Sequence, residues 1–159
     1  MILGICLIPK PEVFLMMESK EELALKKTGI LNSEISCIIA NMGHTDMLAI
    51  VDLGFPIPQN VKKVDLVVDK SKPDFLQVTE VVLKELEVEK LLLAEEMKQH
   101  NSEAMRDLIE IVKKANANVE VEFVSHETFK KITEKCKGIV RTGSDKPYSN
   151  AILVSGVIF

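Results

Sequence analysis

The hydrophobic positions of this chain fall into short apolar runs separated by amphipathic stretches. Met47–Val51 is apolar throughout, the mark of a strand covered on both faces. Val64–Val68, Lys90–Ala94, Gly138–Arg141 and Asn150–Phe159 read as further strands, and Val119–Val124 alternates apolar with acidic residues, which predicts one wetter face. The intervening segments carry helical periods. Asn32 is placed to cap a helix over Ser33–Met42, with Ile35, Ile38, Ile39 and Met42 on one face and Gly43 as a left-handed C-cap. Pro73 opens a helix to Glu85, Asn101 caps one through Lys114, and Ser125 caps one to about Lys135. Strands alternate with helices. That predicts an α/β fold, a three-layer αβα sandwich around a largely parallel sheet, as one domain over 26–159.

Residues 1–25 stand apart. Met1–Ile8 is a short apolar run, broken by Pro9 and Pro11, and Glu12–Lys27 has a weak helical period. The segment contains none of the three histidines and reads as an appended element without chemistry. Its start is neither basic nor followed by a small-residue cleavage site, so a signal peptide is not expected.

Composition narrows the function. The chain has 159 residues, 47% hydrophobic and 28% charged, as an ordinary globular domain does. With no Trp, one Tyr and six Phe, the core has to be mainly aliphatic. The net charge of −4 disfavours nucleic acid, whose binders displace counterions with a basic surface. No run reaches the ~18 apolar residues of a membrane span, so no membrane insertion is expected. Cys6, Cys37 and Cys136 are odd in number and far apart, which fits unpaired thiols and a cytoplasmic address. The three histidines lack metal-ligand spacing, and no glycine-rich phosphate loop or nucleophile elbow occurs. No cofactor is expected.

In open α/β sheets, ligands sit beyond the carboxyl ends of the strands. The polar residues that leave strands are therefore the candidates: Asp52, Glu95 and Glu96, and His126. His44, just past a helix end, suits either a proton donor or a residue that stabilises the helix dipole. His100 reads as a solvated loop residue. Tyr148 and Asn150 offer a stacking face with donors and acceptors for a hydroxyl-rich ligand, or equally a simple turn.

These residues also carry a resemblance. Lys26-Lys-Thr-Gly-Ile-Leu-Asn-Ser-Glu-Ile-Ser36, Gly43-His-Thr-Asp46 and Asp52-Leu-Gly-Phe-Pro-Ile-Pro58 closely resemble the opening of the ribose pyranase / fucose mutarotase family, on its ribose branch. Ala94-Glu-Glu-Met-Lys98 with His100-Asn101, Ser125-His-Glu-Thr-Phe-Lys130, Arg141-Thr-Gly143, Pro147-Tyr-Ser-Asn150 and Gly156-Val-Ile-Phe159 continue the match in order. The resemblance implies an isomerase that interconverts pyranose and furanose forms of D-ribose by acid/base ring opening and reclosure, in ribose catabolism. It implies His44 as proton donor, with Asp52, His126, Lys130, Tyr148, Ser149 and Asn150 holding the sugar. It also implies a ring-shaped homodecamer in which the tyrosine–asparagine segment serves a neighbour's pocket. Asp52 is then expected to orient His44 or to take part in the return proton transfer. A fucose-type mutarotase and a non-catalytic ribose-binding accessory protein are the alternatives. Two features depart from the family pattern: Leu53, where alanine is usual, and the extension over 1–25.

Overall fold

The computed structural model describes residues 26–159. The apolar run Met1–Ile8, Cys6 and the helix expected over Glu12–Lys27 lie outside them, apart from Lys26 and Lys27, which are not helical. The elements in chain order are α1 (Ser33–Ala40), β1 (Met47–Val51), β2 (Lys63–Asp65), α2 (Phe75–Val82), β3 (Val88–Ala94), α3 (Met97–His100), α4 (Ser102–Ala115), β4 (Glu120–Val124), α5 (His126–Thr133), β5 (Gly138–Arg141) and β6 (Ala151–Ser155).

The six strands form one sheet in the order β2-β5-β1-β6-β3-β4. The pairs β1–β5, β2–β5 and β3–β4 are parallel, whereas β6 runs antiparallel to both β1 and β3. The expected parallel character therefore holds in three of five pairings. The exception has a simple cause. Only the residues from Thr142 to Asn150 join β5 to β6. A parallel crossover needs a dozen or more residues, usually with a helix, so the chain returns antiparallel.

Alternation along the buried strands divides the core. Leu48 and Ile50 of β1, Leu91 and Leu93 of β3, and Ala151 and Leu153 of β6 face one side with Ile35 and Ile38 of α1, Phe75 and Val82 of α2, and Leu108 and Val112 of α4. Ala49, Val51, Leu92, Ile139, Ile152 and Val154 face the other, against Phe129 of α5 and Phe55 and Val61 of the loop after β1. The layers are unequal, with α5 and a loop covering the second face. Cys136 lies beneath this thinner layer, and burial pushes its thiol up to about 12, so it is an inert core residue, while Cys37 is exposed.

Local chemistry moved several boundaries. The Asn32 side chain accepts from Glu34 N and Ile35 N, as expected of a cap, but α1 ends at Ala40 with Asn41 as C-cap. Gly43 is not left-handed; Thr45 takes that conformation at φ 68°. Asp74, not Pro73, begins α2, through a capping box with Gln77. The second strand is shorter than expected because Asp65 turns back to accept from Val67 N. The last strand stops at Ser155, whose hydroxyl donates to Gly43 O and Asp46 O.

The loop that enters β6 is held by close backbone packing. Gly143 N donates to Pro73 O, and Ser71 N donates to Gly143 O. A Cβ at Gly143 would meet Asp69 O and Lys72 N at 2.5 Å, both immobile backbone atoms. Gly143→Ala is expected to cost about 1–3 kcal/mol through this overpacking, measured as a lowered urea midpoint at unchanged slope.

Candidate functional site

The parallel strands all point one way, so their carboxyl ends share one rim of the sheet. β1 and β3 send their crossovers to opposite sides, and β6 fills the gap between them. This is the switch point of an α/β sheet, where a crevice forms. Asp52 leaves β1, Glu95 and Glu96 leave β3, and Ser125 and His126 leave β4. Because β6 is antiparallel, its start lies on the same rim, and it brings Tyr148, Ser149 and Asn150 there.

Asp52 and Asn150 bind each other in both directions. Asp52 N donates to Asn150 Oδ1 at 2.9 Å, and Asn150 Nδ2 donates to Asp52 Oδ2 at 2.8 Å. Gly54 N donates to Asp52 Oδ1 at 2.9 Å. Asn150 is 1% exposed, so its amide is fixed, yet one N–H and one lone pair stay uncommitted by this pair. Burial pushes the Asp52 carboxyl above the usual range; the Asn150 and Gly54 hydrogen bonds and the charge of His126 offset part of that rise. Asp52, Leu53 and Gly54 line a groove of about 330 Å³ with Ser144, Asp145, Lys146 and Pro147. Leu53 thus sits in its wall.

Beside this pair stands an aromatic cluster. His126 opens α5, where its backbone N–H donates to both Glu96 oxygens. Its ring is edge-on to Phe55 at 6.1 Å and stacked with Phe129 at 6.4 Å. Its Nδ1 is buried without a hydrogen-bond partner. Tyr148 packs its ring against His126 at 5.1 Å and 82°, and stacks on His100 at 5.2 Å and 26°. Asn101 does not cap α4 with its side chain, as expected; its Nδ2 donates instead to Pro147 O and Ser149 Oγ, on either side of Tyr148.

The structure therefore gathers Asp52, His126, Tyr148, Ser149 and Asn150 of one chain. Lys130 lies one turn beyond His126 on α5, and its Nζ bonds Glu127 at 2.9 Å. His44 lies elsewhere. It precedes β1 while Asp52 follows it, so roughly 16 Å of extended chain separates them. Its Nε2 is 2.8 Å from Glu89 Oε2, at the start of β3. Within one chain the carboxylate that orients His44 is thus Glu89, not Asp52 as expected, because strand direction puts them on opposite rims. Sequence reasoning missed His100 and Asn101. Both follow a strand end by a few residues, but the short helix α3 that lifts them to the rim has no hydrophobic period to reveal it.

A family model described as the RbsD / FucU transport protein family matches residues 25–158. The chain belongs to the RbsD / FucU family. Among its relatives in that family, the D-ribose pyranase of Thermotoga petrophila is 67% identical over 135 residues, 85% of this chain and 100% of that protein. The D-ribose pyranase of Thermotoga neapolitana is 57% identical over the same coverage. The structure of Bacillus subtilis RbsD complexed with D-ribose superposes with a TM-score of 0.77 at 40% identity, covering 84% of this chain and 99% of that one. A FucU from Bifidobacterium longum shares the fold at a TM-score of 0.71 and 20% identity.

The raised Asp52 fixes the sign of a pH effect in this RbsD / FucU chain. The folded state holds that proton more tightly than the unfolded chain does. Its stabilisation is complete below the unfolded value, about 3.8, and is lost as pH rises through the folded value. Asp65 behaves oppositely: burial would raise it, but hydrogen bonds from Arg141 and Val67 N and the Arg141 charge hold it low. Urea titrations from pH 3 to 7 should show the stability of the native chain minus that of Asp52→Asn falling with pH, and the corresponding difference for Asp65→Asn rising.

Proposed function

We infer that this chain interconverts the pyranose and furanose forms of D-ribose by general acid–base ring opening and reclosure. The observation that carries the reading is the 67% identity to a D-ribose pyranase across that relative's whole length. The 40% identical RbsD complexed with D-ribose supports the same substrate. The reaction needs little. The anomeric hydroxyl loses a proton, the ring oxygen gains one, and the bond between anomeric carbon and ring oxygen breaks. The open aldehyde then rotates, and another hydroxyl attacks it. One placed acid and one base account for about 10²–10⁴-fold.

In this reading Asp52, His126, Tyr148 and Asn150 hold the pentose, Ser149 contributes backbone contacts, and Lys130 swings from Glu127 to reach a hydroxyl. His44 is the proton donor. Since it and Asp52 flank opposite ends of β1, the working site joins His44 of one copy to the Asp52 rim of another. A ring-shaped homodecamer supplies that contact at every subunit. The reading includes a cytoplasmic address, where unpaired thiols such as Cys37 stay reduced.

Saturation-transfer NMR on D-ribose measures the exchange directly. His44→Ala should slow it by about 10²–10⁴-fold, and an unchanged rate would remove His44 from the chemistry. A chain that binds ribose without speeding exchange is an accessory binder, and one that prefers fucose is the other branch.

Mixing tests the shared site. His44→Ala and Asp52→Ala should each be inactive alone. Co-assembled at equal amounts, they should recover about a quarter of native activity, because one site in four draws both intact residues from different copies. No recovery from verified mixed assemblies would place both residues in a single-chain site.

A further inference from the structure

Tyr148 has an unusual backbone. Its φ is +59°, a left-handed conformation that costs a bulky residue on the order of 1–3 kcal/mol unless its surroundings impose it. Those surroundings are visible. Asn101 Nδ2 grips the chain at Pro147 O, 3.1 Å, and at Ser149 Oγ, 3.0 Å, so the backbone is clamped on both sides of the tyrosine. Clamping the backbone leaves the ring free to turn about its side-chain bonds. Two rings remove that freedom. His126 presents itself edge-on at 5.1 Å, and His100 lies nearly parallel at 5.2 Å, inclined by 26°.

His100 has no other visible task. It is exposed, it belongs to neither core cluster, and its imidazole forms no hydrogen bond among the described residues. A solvent-exposed imidazole packed flat on a phenol contributes little to global stability. It does choose one ring orientation for a side chain that otherwise rotates.

We propose that His100 is a positioning residue for the sugar site, stacking on Tyr148 to fix the orientation in which the phenol meets the pentose. The inference rests on the reading of Tyr148 as a sugar contact. Asn101 sets where the tyrosine backbone sits, and His100 sets which way the ring faces. The contribution is to ground-state and transition-state binding alike, so it appears in KM more than in kcat.

The chain offers a clean probe. It has one tyrosine and no tryptophan, so emission excited at 280 nm reports Tyr148 alone. The experiment compares the native chain with His100→Ala, which removes the stack, and His100→Phe, which keeps a flat ring without its nitrogens. Thermal midpoints of both should match the native chain, since His100 lies outside the core. His100→Ala should raise KM for D-ribose about 5–10-fold with kcat within twofold, and should change the Tyr148 emission. His100→Phe should return KM to within about twofold of native. Native KM and emission in His100→Ala would overturn the proposal, and so would a His100→Phe variant as impaired as the alanine. Tyr148→Ala is the control for the underlying reading. If it leaves KM unchanged, Tyr148 is not a sugar contact; if it raises KM while His100→Ala does not, the His100 assignment alone fails.

Discussion

Two hydrogen bonds between residues 98 positions apart, Asp52 and Asn150, hold the rest of the site in register. They tie the end of β1 to the start of β6. Every other feature of the rim is measured from that junction. The loop before Asn150 carries Tyr148, and the loop after Asp52 carries Phe55, which packs edge-on against the His126 ring. The pair is polar and largely buried, so neither partner can be lost without leaving the other unsatisfied, a cost of about 1–3 kcal/mol. That constraint explains why a carboxylate whose burial disfavours its charge is nevertheless surrounded by donors. The amide and the Gly54 N–H offset part of the cost of burying the anion.

Antiparallel β6 is what makes a one-rim site possible. In an all-parallel sheet, the residues entering a strand lie on the rim opposite to those leaving it. Reversing one strand at the switch point adds a segment that enters on the working rim, between β1 and β3. The same geometry exiles His44. It enters β1 on the far rim and meets Glu89 and, through Thr45 N, the carbonyl of Ser155. Under the function proposed above, which uses both rims, the sheet requires that two copies come together.

Much of the architecture was legible in the residues. β1 and β5 have the expected bounds because an apolar run between polar breakers admits few alternatives. The strand-end rule located Asp52 and His126 without any contact information. What could not be read depended on partners distant in sequence. The antiparallel direction of β6 follows from a loop length weighed against a sheet not yet assembled. Asn101 has the right identity and place for a helix cap, yet tertiary contacts claim its amide for Pro147 and Ser149. His100 sits among polar neighbours on a four-residue helix, and only the fold shows the tyrosine above it. Glu89 lies within an apolar strand and signals nothing until His44 arrives beside it.

The His44–Glu89 contact bears on how an exposed imidazole can serve as a donor. Both side chains are about half exposed, at 52% and 40%. A surface pair of this kind contributes roughly 0–1 kcal/mol to stability, so the fold gains little by keeping it. Its consequence is geometric. A carboxylate 2.8 Å from Nε2 fixes the orientation of the ring, as carboxylates orient imidazoles elsewhere. His44 and Glu89 lie on the rim opposite the chain's own Asp52. Under the function proposed above, an imidazole held in this way on an open surface meets the sugar only when a second copy brings its Asp52 rim against it.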